Sequence, residues 1–161
     1  MNCENCGGPM AFMPKGEYFF CEYCSSIVFA EKNSDGVAVV EPDSEFDCPV
    51  CRSIMATASL EGRQVWHCLN CRGVLTQQAT FLPIINTRAA RIDPVETPKQ
   101  PITAEELERV LSCPSCKRKM EAHPYYGPGH VLIDTCGKCG LIWLDHGEIE
   151  TIVNAHRLEW R

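Results

Sequence analysis

All twelve cysteines of this chain fall into C-x-x-C pairs, and that pattern limits the possible folds more than any other feature. The pairs are Cys3/Cys6, Cys21/Cys24, Cys48/Cys51, Cys68/Cys71, Cys113/Cys116 and Cys136/Cys139, with none left over. Taken two at a time, they enclose gaps of 14, 16 and 19 residues. These gaps lie close to the spacing of four-cysteine zinc sites, about 15 to 20 residues. Pairing the second knuckle with the third would give gaps of 23 and 41 residues and strand the outermost pairs. Consecutive pairing is therefore expected, with one metal between each two knuckles.

A cytoplasmic, reduced protein is expected. The segment from Met1 to Cys6 has no basic stretch leading into an apolar one, and no run reaches the roughly 18 apolar residues of a membrane span. In a reducing compartment, dense cysteine serves metals or catalysis rather than disulfides. Two cysteines three apart on a tight turn supply two corners of a tetrahedron. Gly7 and Gly140 follow their knuckles directly, where a positive φ is often wanted.

The repeat extends past the ligands. Met10, Met55 and Met120 each stand four residues after a first knuckle. Tyr18, Val65 and Ile133 stand three before the third cysteine, and Ile27, Val74 and Ile142 three after the fourth. These apolar positions are expected to bracket each metal. Turn signals at Pro14-Lys15-Gly16, Glu61-Gly62 and Gly127-Pro128-Gly129 separate strand-like segments. A knuckle, a hairpin and a second knuckle make a zinc ribbon. The predicted fold is small, metal-stabilised and mainly β, with three tandem ribbons and short helices after ribbon 2 and at the C-terminus.

The expected organisation is ribbon 1 with an acidic hairpin over 1–45, ribbon 2 over 46–82, a Pro-rich linker with short helices over 83–111, and ribbon 3 with a C-terminal helix over 112–161. Val28-Phe29 and Val37 to Val40 flank Asn33-Ser34-Asp35-Gly36, which predicts a second hairpin in ribbon 1. A helix can start at Pro83 as its first residue and reach Arg91. Pro94, Pro98 and Pro101 suggest a semi-extended linker, followed by a capping box at Thr103 to Glu106 that opens a helix through Leu111. Asp145 as N-cap with Glu148 three residues on predicts a helix from His146 to about Leu158, with Ile149, Ile152 and Val153 inward.

The residues Cys113-Pro114-Ser115-Cys116, Met120, Ile133 to Cys136, and Cys139-Gly140-Leu141-Ile142-Trp143-Leu144-Asp145-His146-Gly147-Glu148 resemble the transcription factor IIB-type zinc-ribbon family. The resemblance covers about residues 112–153. It implies a four-cysteine ribbon at Cys113, Cys116, Cys136 and Cys139, and it suggests a bacterial protein. Ribbon 2 reads Gly73-Val74-Leu75-Thr76 and ribbon 1 Ser26-Ile27-Val28-Phe29 where the tail should follow, so both depart from the pattern.

Three structural zinc ions on all twelve cysteines are the expected cofactors. Iron in a rubredoxin-like site and redox dithiols remain open, because spacing alone does not separate them. Four-sulfur sites leave no open coordination position, so no catalytic residue and no enzyme activity are expected. His67, His123, His130, His146 and His156 are expected in surface or packing roles, and the pair Asp145 and Glu148 in capping.

The net charge is −6, and residues 1 to 45 account for all of it, with Lys15 and Lys32 against eight carboxylates. Twelve thiolates and three zinc ions would bring the total to about −12. That balance opposes phosphate binding, and Lys117-Arg118-Lys119 is the one basic cluster. Trp66, Trp143, Tyr125 and Tyr126 invite base stacking, but the basic groove such stacking accompanies is missing. The expected function is a zinc-binding protein-interaction adaptor, within transcription or a related machine. The alternatives are nucleic-acid binding through ribbons 2 and 3, and a thiol redox protein.

Overall fold

A computed structural model describes residues 1–91, 102–125 and 130–159, the side chains of 157–159 excepted. The expected linker prolines 94, 98 and 101 and the turn at 127–129 lie outside the described residues. The fold is mainly β and built around three four-cysteine groups.

Ribbon 1 forms its own sheet from β1 (Met10–Met13), β2 (Tyr18–Cys21) and β3 (Ile27–Phe29), in that order. The second sheet has seven antiparallel strands. They are β4 (Ala38–Glu41), β5 (Ala56–Leu60), β6 (Arg63–His67), β7 (Val74–Gln77), β8 (Glu121–Pro124), β9 (Leu132–Cys136) and β10 (Leu141–Leu144). Their spatial order is β4-β5-β6-β7-β10-β9-β8. Ribbons 2 and 3 thus share one sheet, joined where β7 pairs with β10.

That joint follows the internal repeat. Leu75 and Trp143 each stand four residues after the last cysteine of their ribbon, and they face each other across the pair. Val74 faces Leu144, and Thr76 faces Ile142. Exchanging the two ribbons leaves this register unchanged, so the two units are related by a local pseudo-twofold axis through the Leu75–Trp143 pair.

Side chains alternate across a strand, and the two sheet faces carry different cores. One face holds Val65, Val74, Ile133, Ile142 and Leu144, packed with Val37. The same core takes in Phe81, Ile84 and Ile85 of α1 (Gln78–Ala89) and Ile149, Ile152 and Val153 of α3 (Glu148–Glu159). The other face holds Trp66, Leu75, Leu141 and Trp143 with Met55, Met120, Leu111 and the sulfurs of ribbons 2 and 3. The expectation that the repeated apolar positions bracket each metal is corrected here. The repeated methionines do lie beside sulfur, Met55 and Met120 in the metal-side core and Met10 directly opposite Cys21. Val65, Val74, Ile133 and Ile142 point to the helical layer, because three residues along a strand is an odd step. In ribbon 1 the corresponding Tyr18 is half-buried and Ile27 is exposed.

Four local expectations also change. The Asn33–Gly36 turn forms: Asn33 Oδ1 accepts from the N–H of Asp35 and of Val37, both at 2.9 Å, and Gly36 has φ 72°. The flanks pair through one antiparallel bridge, Lys32 opposite Ala38, but the longer hairpin does not form, since β3 pairs with β2 and β4 with β5. The first helix begins at Gln78, not Pro83, and so crosses residue 82. Gly140 O accepts from Gln78 N at 2.7 Å, which continues the β7–β10 ladder into the first turn. Pro83 therefore sits inside the helix and forgoes one backbone bond. The helix α2 (Ala104–Glu108) has the expected capping box at Thr103 but stops before Leu111. Leu111 is instead buried against the metal-side core.

The C-terminal helix starts at Glu148 rather than His146. The N–H of Asp145 donates to Glu148 Oε2 at 2.6 Å, which is one half of the expected box. The Asp145 carboxylate has other partners. It accepts from Trp143 Nε1 at 3.0 Å and from Arg109 Nη2 at 2.6 Å, and it thereby fixes the buried indole.

Candidate functional site

Six knuckles place the twelve sulfurs, and all six have the same backbone. The residue after the second cysteine of each pair has a left-handed conformation: Gly7, Ser25, Arg52, Arg72, Lys117 and Gly140, with φ between 59° and 74°. Its N–H donates to the carbonyl of the first cysteine at 2.8 to 3.0 Å in every case. Glycine adopts this φ without strain, whereas four of the six positions carry a side chain there. That the knuckle forms regardless indicates how strongly the surrounding turn determines it.

Three groups result: Cys3, Cys6, Cys21 and Cys24; Cys48, Cys51, Cys68 and Cys71; Cys113, Cys116, Cys136 and Cys139. Within each, the sulfurs lie within 4.8 Å of one another. Sulfur–sulfur separations are 3.5 Å for Cys3–Cys24, 3.4 Å for Cys51–Cys68 and 3.6 Å for Cys116–Cys136. A disulfide needs about 2.0 Å. A zinc tetrahedron with bonds of about 2.3 Å has sulfur edges of about 3.8 Å, so the groups fit that ion.

Electrostatics point the same way. Burial pushes the Cys48 thiol up to about 11 and the Cys113 thiol up to about 12. The Ser53 hydroxyl, 3.0 Å away, holds Cys51 down at about 5, and the Ser26 hydroxyl, at 3.1 Å, holds Cys24 at about 6. In ribbon 3 the backbone N–H of Arg118 does this work, with Cys116 at about 7. Each group therefore combines at least one thiol drawn down with at least one pushed up: in ribbon 1 Cys3 and Cys24 are lowered and Cys6 is raised, and in ribbons 2 and 3 Cys71 and Cys139 are raised along with Cys48 and Cys113. A divalent ion supplies the missing charge.

Among the described residues, the metal-capable groups contain no histidine. His67 is buried with Nε2 3.2 Å from the Asn33 side-chain nitrogen. His123 Nε2 lies 3.1 Å from Thr135 Oγ1, and His146 Nε2 lies 3.3 Å from Asp35 Oδ1. Both Trp66 and Trp143 are buried in the metal-side core and present no face for base stacking. Tyr125 packs edge-on against Phe81, while Tyr126 lies outside the described residues.

Sequence reasoning missed the polar clamps that hold the ribbons together. Arg88 is buried in α1 and reaches three regions: the Asp35 carbonyl at 2.7 Å, Glu150 at 2.8 Å and Glu61 at 3.8 Å. It falls on the face marked by Phe81, Ile84 and Ile85, at the i, i+3, i+4, i+7 spacing, so its burial was readable from periodicity. Glu17 of ribbon 1 accepts from Ser59 Oγ at 3.1 Å and Gly62 N at 3.0 Å, and pairs with Lys32. Asp35 pairs with Arg72, whose Nε is 2.9 Å away. No local spacing signals these contacts.

Residues 112–155 match the family model described as the transcription factor zinc-finger. Over that stretch the chain is similar to transcription factor IIB-type zinc ribbons. This ribbon supplies β8, β9, β10 and most of α3 to the shared platform. Over 108 residues the chain is also 27% identical to Transcription factor S of Sulfolobus acidocaldarius, a match covering 62% of this chain and 96% of that protein. The chain has no significant match among solved structures. No described helix is long and apolar enough to cross a membrane.

Proposed function

We propose that this protein is a non-enzymatic, cytoplasmic adaptor, in which each four-cysteine group binds one zinc ion and the ribbons present a rigid surface to a protein of the transcription machinery. The observation that carries the reading is the similarity to Transcription factor S across nearly that protein's whole length. The chemistry of the sites supports it. When bound, zinc supplies cross-linking and charge neutralisation, and four sulfurs leave it no position for substrate. Acidity concentrated in ribbon 1 suits a protein partner better than a phosphate backbone.

The test is purification of the tagged, zinc-loaded full chain from its own cell, with and without nuclease. Transcription-machinery proteins should dominate the retained set and survive nuclease. Their absence, or their loss with nuclease, would overturn the reading.

Nucleic-acid binding has one observation in its favour: Lys117, Arg118, Lys119, Arg52 and Arg72 are exposed at or beside knuckles of ribbons 2 and 3. It predicts retention on DNA or RNA that falls steeply with salt. A thiol redox role predicts rapid thiol labelling of the zinc-loaded chain. Labelling only after chelation speaks for closed structural sites.

A further inference from the structure

The three ribbons have equivalent third strands, and only two of these have partners. Val74, Leu75 and Thr76 of β7 and Ile142, Trp143 and Leu144 of β10 begin three residues after their last cysteine and pair with each other. Ile27, Val28 and Phe29 of β3 occupy the same positions after Cys24. β3 is the edge of its sheet, bonded to β2 alone among the described residues. The exposures follow from this: Leu75 and Trp143 are both 0% exposed, whereas Ile27, Val28 and Phe29 are 53%, 37% and 71% exposed. Three consecutive apolar residues on an open strand edge are a feature that soluble proteins ordinarily avoid.

The backbone of β3 is set up as in the paired strands. Ser26 O accepts from Cys21 N at 3.0 Å, and Ala30 N donates to Glu17 O at 2.9 Å, so the even-numbered residues bond inward to β2. By alternation, Ile27 and Phe29 direct their N–H and C=O groups outward. In ribbon 2, Gly73 O accepts from Cys68 N at 2.9 Å, and the outward residues are Val74 and Thr76, the equivalents of Ile27 and Phe29.

We propose that β3 pairs with β3 of a second copy of this chain, antiparallel and centred on Val28, thus repeating between molecules the pseudo-twofold joint that β7 and β10 make within one. Ile27 of each copy then faces Phe29 of the other. The register sets Ser26 opposite Ala30; beyond it Lys32 is already bridged to Ala38 of its own chain, so the ladder between copies is confined to residues 26–30, where no charged side chain stands across it. Three residues a side make a small interface, well under the standard size, and association is correspondingly weak. Ribbon 1 is acidic, so the copies repel at long range and pairing strengthens with salt as that repulsion is screened. A basic peptide strand on the same edge would show the opposite salt dependence.

The experiment is analytical ultracentrifugation of the full, zinc-loaded chain at rising concentration and at two salt levels. A monomer–dimer equilibrium favoured by salt is expected. Ile27→Lys and, separately, Phe29→Lys should weaken it at least about tenfold, with three zinc per chain retained in each. Val28→Cys should give a symmetric disulfide dimer under mild oxidation, because directly opposed residues at a non-hydrogen-bonded position lie within bridging range. Leu69→Cys, more exposed than Val28 and on a ribbon 2 knuckle, should not. A chain that stays monomeric at all concentrations, a dimer indifferent to both lysine variants, or equal cross-linking at Leu69→Cys would overturn the proposal.

Discussion

Cys24 and Cys71 each complete a four-sulfur group, and each leads three residues later into a third strand. There the likeness ends. β7 continues into α1 and lies against β10, so ribbons 2 and 3 share a sheet, a helical layer and a metal-side core. β3 has no strand on its outer edge among the described residues, and ribbon 1 meets the platform through Glu17, the Lys32–Ala38 bridge, the Asn33–Gly36 turn and Val37. The same metal spacing therefore yields a nearly self-contained unit in one case and half of a fused pair in the other. The ligand pattern determines the knuckle, and the strand after it determines whether the ribbon stands alone.

The sharpest way to break this comparison is to remove one ligand at a time. Metal binding in small ribbons is worth roughly 10–16 kcal/mol, enough to account for most of the fold of such a unit. Cys21→Ser should release one zinc and abolish amide protection in β1 to β3, leaving β5 to β10 protected in hydrogen exchange. Cys136→Ser should spread the loss into β6 and β7 of ribbon 2. If ribbon 2 stays fully protected in Cys136→Ser, the fused-pair description fails.

Next in size is the joint itself. Trp143 is fully buried, and a Cβ added at Gly73 would stand 2.2 Å from its indole ring. Trp143→Ala should cost about 3–5 kcal/mol in denaturant unfolding of the zinc-loaded protein. Gly73→Ala should be comparably damaging, since the ring has a fixed Asp145 partner and no room to swing away. A loss below about 1 kcal/mol in both would mean that the two ribbons gain little from each other.

Arg88→Met tests the clamp. It leaves Glu61 without a buried partner and unties the Asp35 carbonyl, and a cost of about 2–3 kcal/mol is expected. Ribbon 1 protection should fall more than that of the platform. Uniform loss would place Arg88 in the core alone and not between units.

The ligand groups and the three hairpins of the ribbons were legible because they depend on residues close in sequence: cysteines three apart, a Glu61-Gly62 turn with φ 50° and 73°, a Thr103 capping box. The joint was not. Val74, Leu75 and Thr76 look no more committed to a partner strand than Ile27, Val28 and Phe29, since edge pairing is a long-range choice. Asp145 shows the same limit on a smaller scale. Its spacing to Glu148 is that of a cap, and half the cap forms, but Arg109 and the Trp143 indole compete for its carboxylate and win. Charge-assisted bonds in a partly buried setting outweigh one more bond to a helix N-terminus. Where sequence did carry a distant contact, at Arg88, it did so through helical period.

The smallest expected effect concerns the acid that this competition leaves behind. Burial pushes the Glu148 carboxyl up to about 8, with the Asp145 carboxylate and, more weakly, Asp134 adding to the shift. Unfolded, it titrates near 4.5. Between these values the folded chain holds a proton that the unfolded chain has released. The group's contribution to stability is therefore complete at low pH and is lost as pH rises from about 4.5 through about 8. Glu148→Gln keeps an acceptor for the Asp145 N–H and removes the titration. Measured above pH 6, where zinc remains bound, the variant should gain on the parent chain as pH rises, by on the order of 1–2 kcal/mol at pH 8.5. A constant difference across that range would mean that Glu148 is solvated and ionised throughout. The entry into α3 would then owe its order to the Arg109–Asp145–Trp143 contacts alone.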